Sequence, residues 1–317
     1  MKKHALVFTL LMLAVGLMAP VAANAELKVV ATLSDLGWLA ERVGGDDVDV
    51  TTLCPGHQDP HYLPAKPSLT RKLKKADLLV YNGLELEVGW LPLLIKSARN
   101  RNVKAGARGE LDCSGAVHHI LDVPTGQVDR SQGDIHPHGN PHYLLDPRMG
   151  VAVARLMAER MAELDPDAAD RYHARAADFA VEVEARLPVW HERMLAAVNC
   201  PLIVYHQHWE YLLHWLGLNN IGSIEHRPGI NPSPQHVEEV TALGRRQDCV
   251  YVIAASWDNR KIAQRAAERM DAPLAILPGA VGAMEKAPGY IEMFDLICDN
   301  LATAAAAGIR PQEGLTQ

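Results

Sequence analysis

Residues 166–197, PDAADRYHARAADFAVEVEARLPVWHERMLAA, decide the fold of this chain. The stretch is rich in Ala, Glu and Arg and keeps a helical pattern throughout. A helix of about thirty residues spans on the order of 45 Å. That is too long for a connector inside a compact domain, so it reads as a rigid strut running the length of the protein. Pro188 falls inside the pattern and is a candidate kink near its end.

On both sides of the strut, strands and helices alternate. Before it, residues 27–31 (LKVVA) read as a short buried strand, 35–43 as a helix, 48–53 (VDVTTL) as a strand, 68–75 as a helix and 78–81 as a strand. An amphipathic helix over 148–164 leads into the strut. After it, strands are expected at 202–205, 220–223, 250–254 and 274–277, with helices at 208–216, 234–246, 260–270 and 290–307. Such alternation implies parallel sheets covered by helices on both faces. The expected fold class is therefore α/β: two doubly wound parallel-sheet domains joined by one long rigid helix. The expected boundaries are 26–165, 166–198 and 199–317.

Residues 1–25 stand apart. Lys2, Lys3 and His4 give a positive start, residues 5–22 are almost wholly apolar, and Ala23-Asn24-Ala25 is a small-x-small cleavage site. This is the pattern of a cleaved secretory signal peptide and places the mature chain in the periplasm. No Cys stands at the cleavage point, so no lipid attachment is expected there. Loss of two lysines moves the formal charge from -7 to -9, which argues against nucleic acid or an anionic membrane as partner. Five cysteines in an oxidising compartment invite pairing, but none is spaced as CxxC, so a thiolate zinc site is not expected.

Three histidines sit in distinctive phrases: His61 in DPHYLPAKPS, His142 in NPHYLLDP and His206 in VYHQHWEYLLHWLGL. Neutral imidazole is a common zinc ligand, and three imidazoles leave one tetrahedral place for a fourth group or water. Ligands of parallel sheets gather where loops leave the carboxyl ends of strands, and His61 and His206 both follow strands. His208 and His57 read as neighbours of the site, and His214 as a packed residue at the core edge. Residues 117–139 (VHHILDVPTGQVDRSQGDIHPHG) show little periodicity and four histidines, 118, 119, 136 and 138. They read as a surface loop that either collects metal weakly or is simply solvated.

Taken together, the three phrases resemble those of the zinc- and manganese-binding receptors of bacterial ABC importers, over essentially the whole mature chain. In that family a His precedes Pro-Ser by six residues, a second His precedes an aromatic and Leu-Asp-Pro, and a third stands twelve residues before the last Leu of an aromatic-Leu-Gly-Leu ending. The last register selects His206. The resemblance implies a receptor that carries Zn(II), with Mn(II) less favoured because a His rather than a carboxylate fills the third position. It implies delivery to an ABC importer permease, with a periplasmic metallochaperone as a further candidate partner and a monomeric state. Many relatives supply a fourth ligand, an Asp, from a late phrase; the matching region here, AILPGAVGA (275–283), has no carboxylate. Water, Glu225 or a loop histidine such as His136 could take that place, with water or Glu225 preferred. The resemblance also implies a Cys249–Cys298 disulfide.

Two other readings compete. A three-histidine zinc with bound water is also the core of zinc hydrolases and hydratases, and a metal buffer would need no permease. The sequence holds no HExxH, no GxSxG and no Ser/His/Asp arrangement.

Overall fold

The computed structural model describes residues 26–125, 133, 136–227 and 229–309. The expected signal peptide and much of the central part of the 117–139 loop lie outside the described residues. The chain folds into two four-stranded, all-parallel sheets. The first holds β1 (Leu27–Ala31), β2 (Val48–Thr52), β3 (Leu78–Tyr81) and β4 (Glu110–Asp112) in the order β2-β1-β3-β4. The second holds β5 (Pro201–Val204), β6 (Asn219–Ser223), β7 (Tyr251–Ala255) and β8 (Leu274–Leu277) in the order β6-β5-β7-β8. The two orders are the same pattern used twice.

Helices α1 (Ser34–Gly44), α2 (Pro67–Leu73) and α3 (Leu91–Ala98) belong to the first half, and α4 (Pro147–Leu164) leads out of it. The strut is α5 (Ala169–Met194), flanked by short 3-10 turns at Pro166–Ala168 and Leu195–Ala197, and it stays α-helical through Pro188. The second half adds α6 (Glu210–Leu216), α7 (Pro234–Arg246), α8 (Arg260–Met270) and α9 (Tyr290–Gly308). Several helices start as their sequences dictate. Pro67, Pro147 and Pro234 stand in the first turn, where a missing N–H costs nothing, and Asp146, Ser233 and Asn259 cap with their side chains.

Strand parity sorts the core. Tyr251, Ile253 and Ala255 of β7 join α5, α9 and the whole first half in one continuous apolar cluster. Val252 and Ala254, pointing to the other face, pack with Ala263, Ala266, Ala267 and Met270 of α8 in a separate cluster. The strut thus shares a core with both halves. Arg186 and Trp190 of α5 both bond the Asp295 carboxylate of α9, and Trp190 meets Phe294 at 5.4 Å and Trp215 edge-on at 5.9 Å.

The expected Cys249–Cys298 disulfide is not formed in this structure. Among the described residues all five cysteines are free. Cys249 lies in the cluster under α8, whereas Cys298 lies in the larger cluster on the opposite face. The Cys249 thiol instead contacts the Tyr251 carbonyl at 3.3 Å. His214 also departs from expectation, being exposed rather than packed.

Candidate metal centre

Loops at the carboxyl ends of both sheets meet over a cleft of about 490 Å³. Its lining includes His61, His142, His206, His208, Glu225 and Asp258. The approach of the halves is tight. A Cβ on Gly56, in the loop that delivers His61, would strike the Val281 carbonyl of the second half. One buried bond crosses here: the Val281 N–H donates to Asp35 Oδ1 at 3.0 Å. Burial pushes the Asp35 carboxyl up to about 6.

The structure brings the three expected histidines together. Ring centroids lie 5.2 Å apart for His61–His142, 6.1 Å for His61–His206 and 6.1 Å for His142–His206. With Zn–N near 2.0 Å and tetrahedral angles, imidazole centroids around one ion fall roughly 5 Å apart. The three rings are neighbours in an open arrangement: among the described residues no three His, Cys, Asp or Glu side chains already meet the geometry of a bound ion. A cation would have to draw them in by up to about 1 Å, judged against that tetrahedral spacing.

Each ring is held by its Nδ1. In Asp59-Pro60-His61 the Asp59 Oδ1 accepts from the His61 backbone N–H at 2.9 Å and lies 2.7 Å from its Nδ1. Asn140-Pro141-His142 repeats the device, with Oδ1 at 3.0 Å from the backbone nitrogen and 2.9 Å from Nδ1. Asn140 Nδ2 donates to Asp122 Oδ2 and to the Gln207 carbonyl, which fixes Oδ1 as the acceptor. His206 has no such turn, and Glu225 Oε2 sits 2.7 Å from its Nδ1 instead. With Nδ1 protonated on all three rings, the Nε2 lone pairs are left for a ligand, the arrangement that orients zinc-binding imidazoles.

Electrostatics favour neutral rings unevenly. Burial, reinforced by the neighbouring imidazoles, holds His142 well below the usual histidine range. Burial also pulls His208 down. For His206 burial acts the same way, but the Glu225 hydrogen bond and the charges of Glu225, Asp258 and Asp59 outweigh it and raise its pKa.

Glu225, expected as a possible ligand, is placed as the support of His206; its Oε2 also accepts from the Gly229 N–H at 3.1 Å. His136 comes closer. Its Nε2 faces His61 Nε2 at 3.2 Å, against roughly 3.3 Å for the edge of a zinc tetrahedron. Two other histidines of the loop have partners elsewhere: His138 lies 3.9 Å from Glu85, and His119 stands 6.2 Å from the His214 ring. His57 is exposed.

Two ring supports, Asp59 and Asn140, and one nearby carboxylate, Asp258, escaped the sequence reading. Asp59 and Asn140 were legible as the repeated Asx-Pro-His-Tyr-Leu phrase, because an Asx two residues ahead can bond both the backbone and the ring. Asp258 carried no such signal: it sits after β7, accepts from the Ala255 N–H at 2.7 Å, and is pushed up to about 7 by burial.

The chain is 32% identical over 149 residues to the metal ABC transporter substrate-binding lipoprotein SsaB of Streptococcus sanguinis, covering 45% of this chain and 44% of that one. It is 31% identical over 179 residues to the manganese ABC transporter substrate-binding lipoprotein scaA of Streptococcus gordonii, covering 53% of each. The chain spans about half the length of the curated relatives it matches. In fold it is similar to a crystal structure of ZnuA, with a TM-score of 0.73 at 23% identity over 89% of this chain and 100% of that one. The family described as "ZnuA: Zinc-uptake complex component A periplasmic" matches residues 29–304. With that match running through both sheets and the strut between them, the chain belongs to the ZnuA family.

Proposed function

We propose that this protein is a periplasmic receptor that captures Zn(II) in the cleft between its two halves and passes it to the membrane permease of an ABC importer. The observation that carries this reading is the group of imidazoles whose Nδ1 atoms are held by Asp59, Asn140 and Glu225 and whose ring centroids lie 5.2 to 6.1 Å apart, which leaves their Nε2 atoms for a ligand. Their ligand set is His61, His142 and His206, with His136 rather than Glu225 or water as the fourth donor. Four nitrogens make a borderline site that suits zinc better than manganese, which prefers more oxygen. The manganese in the name of the Streptococcus gordonii relative makes the choice of ion the point to test.

The boundaries 26–165, 166–198 and 199–317 suit this role, since the 166–198 segment holds the halves at a fixed spacing. A monomer with an acidic surface fits capture of a cation and has no use for nucleic acid. A metallochaperone that feeds the cleft is compatible with the same site. The hydrolase reading fares worse, because a fourth imidazole occupies the place a reactive water would need; relatives are named as substrate-binding proteins. A buffer would share the site but need no permease.

Protein isolated from periplasm without added metal tests the reading. One equivalent of zinc, kept against excess manganese and lost on chelation, together with zinc uptake that fails when the gene is deleted, is the expected result. Manganese as the bound ion would contradict the nitrogen-only ligand set. Esterase or hydratase turnover that disappears on chelation would favour the enzyme, and uptake unaffected by deletion would favour the buffer.

A further inference from the structure

His208 is a fifth imidazole in the same cleft, outside the set of four that holds the ion. Only 3% of the residue is exposed, yet its Nε2 is buried with no hydrogen-bond partner among the described residues. A buried polar nitrogen in that state is costly and calls for a partner. Its ring lies against Trp209, 4.2 Å between centroids, with Trp257 at 5.9 Å. It also stands 5.2 Å from the His206 ring and 5.6 Å from the His142 ring. Those spacings are as short as the ones that join His61 to the same two rings. The His142–His206 edge is therefore shared by two triangles of imidazoles.

We propose that His208 is a metal ligand, closing with His142 and His206 an inner position adjoining the outer position made with His61. The inference rests on the zinc reading of this cleft. One Nε2 lone pair binds one cation, so the shared edge allows a single ion at a time. The ion has two places: an outer one with His61, beside exposed Tyr62, and an inner one against Trp209 and Trp257. His208 lets the ion step inward without leaving imidazole nitrogen, which keeps oxygen-preferring cations disfavoured at both places.

A double-mutant cycle on zinc affinity tests this, using His61→Ala, His208→Gln and both together, each measured by chelator competition. Far-ultraviolet circular dichroism and melting of the metal-free forms control for folding. Expected is a His208→Gln effect of only a few-fold alone but on the order of 10²-fold in the His61→Ala background, because that variant must use the inner position. The cobalt-loaded His61→Ala protein should change its visible d–d spectrum when His208 is replaced. Equal losses in both backgrounds with an unchanged cobalt spectrum would overturn the proposal and leave His208 as a packing residue. Failure of the wild-type protein to bind zinc at all would instead overturn the reading on which it rests.

Discussion

The two halves share one strand order but equip the cleft differently. The first half presents His61 and His142 from loops, each ring locked by an Asx two residues earlier, and adds His136 from the 117–139 loop. The second half presents His206 directly after β5, with its support, Glu225, arriving from the segment after β6. Asn140 offers a neutral acceptor and Glu225 a charged one. One topology can thus gather donors by loop chemistry on one side and by strand position on the other. His206 is the more basic of the two rings: burial and the neighbouring imidazoles hold His142 down, whereas at His206 the Glu225 carboxylate outweighs burial.

Removing rings is the harshest test of this contrast. His206→Ala deletes the second half's contribution to the outer ligand set, and His142→Ala deletes a ring common to both triangles. Each should weaken zinc binding by on the order of 10²–10³-fold with the metal-free fold intact, as titration against a fluorescent chelator will show. Loss of affinity in His208→Gln alone, with His206→Ala unaffected, would contradict the register assigned to the third phrase.

Changing the supports probes the halves more finely. Glu225→Gln keeps an oxygen near His206 Nδ1 but removes its charge, so zinc affinity should drop about tenfold, within the range for groups that orient metal-binding imidazoles. The pH at which His206 loses its proton in the metal-free protein should also fall, since the ring loses the charge that favoured its protonated form. Asn140→Asp makes the opposite change on the first half and should raise the corresponding pH of His142. Equal behaviour of the two variants would erase the distinction between the halves.

A smaller effect concerns the seam. Asp35 titrates near 6 in the folded protein against 3.8 for a solvated aspartate, so the folded state holds its proton more tightly. Its contribution to stability is therefore fully present below about pH 4 and is lost as pH rises through about 6. Asp35→Asn keeps an oxygen for the Val281 N–H and removes the buried charge. The variant should be more stable than the parent above pH 6, by up to about 3 kcal/mol, and should lose that pH dependence in urea melts of the metal-free protein. A variant less stable at pH 8 would show that the charged carboxylate is favoured at the seam.

Much of this was legible in the sequence. The strut and most strands and helices follow from periodicity, because Val- and Leu-rich strands and Ala/Glu/Arg helices carry opposite periods. The α3 helix and β4 strand were missed: one carries Pro92 in its first turn, and the other is only three residues long. His61, His142 and His206 were readable because their phrases are distinctive. The partners of carboxylates were not, since Glu225 looks the same in sequence whether it reaches a cation or an imidazole. The disulfide expectation came from the family resemblance, and the structure instead keeps Cys249 and Cys298 as free thiols in separate clusters.

X-ray absorption at the zinc edge, on protein loaded with one equivalent, reads the all-imidazole ligand set without an intermediary. The expected spectrum is that of a four-coordinate ion with nitrogen neighbours near 2.0 Å, imidazole scattering from four rings and no sulfur at about 2.3 Å. A five- or six-coordinate shell dominated by oxygen would contradict that ligand set.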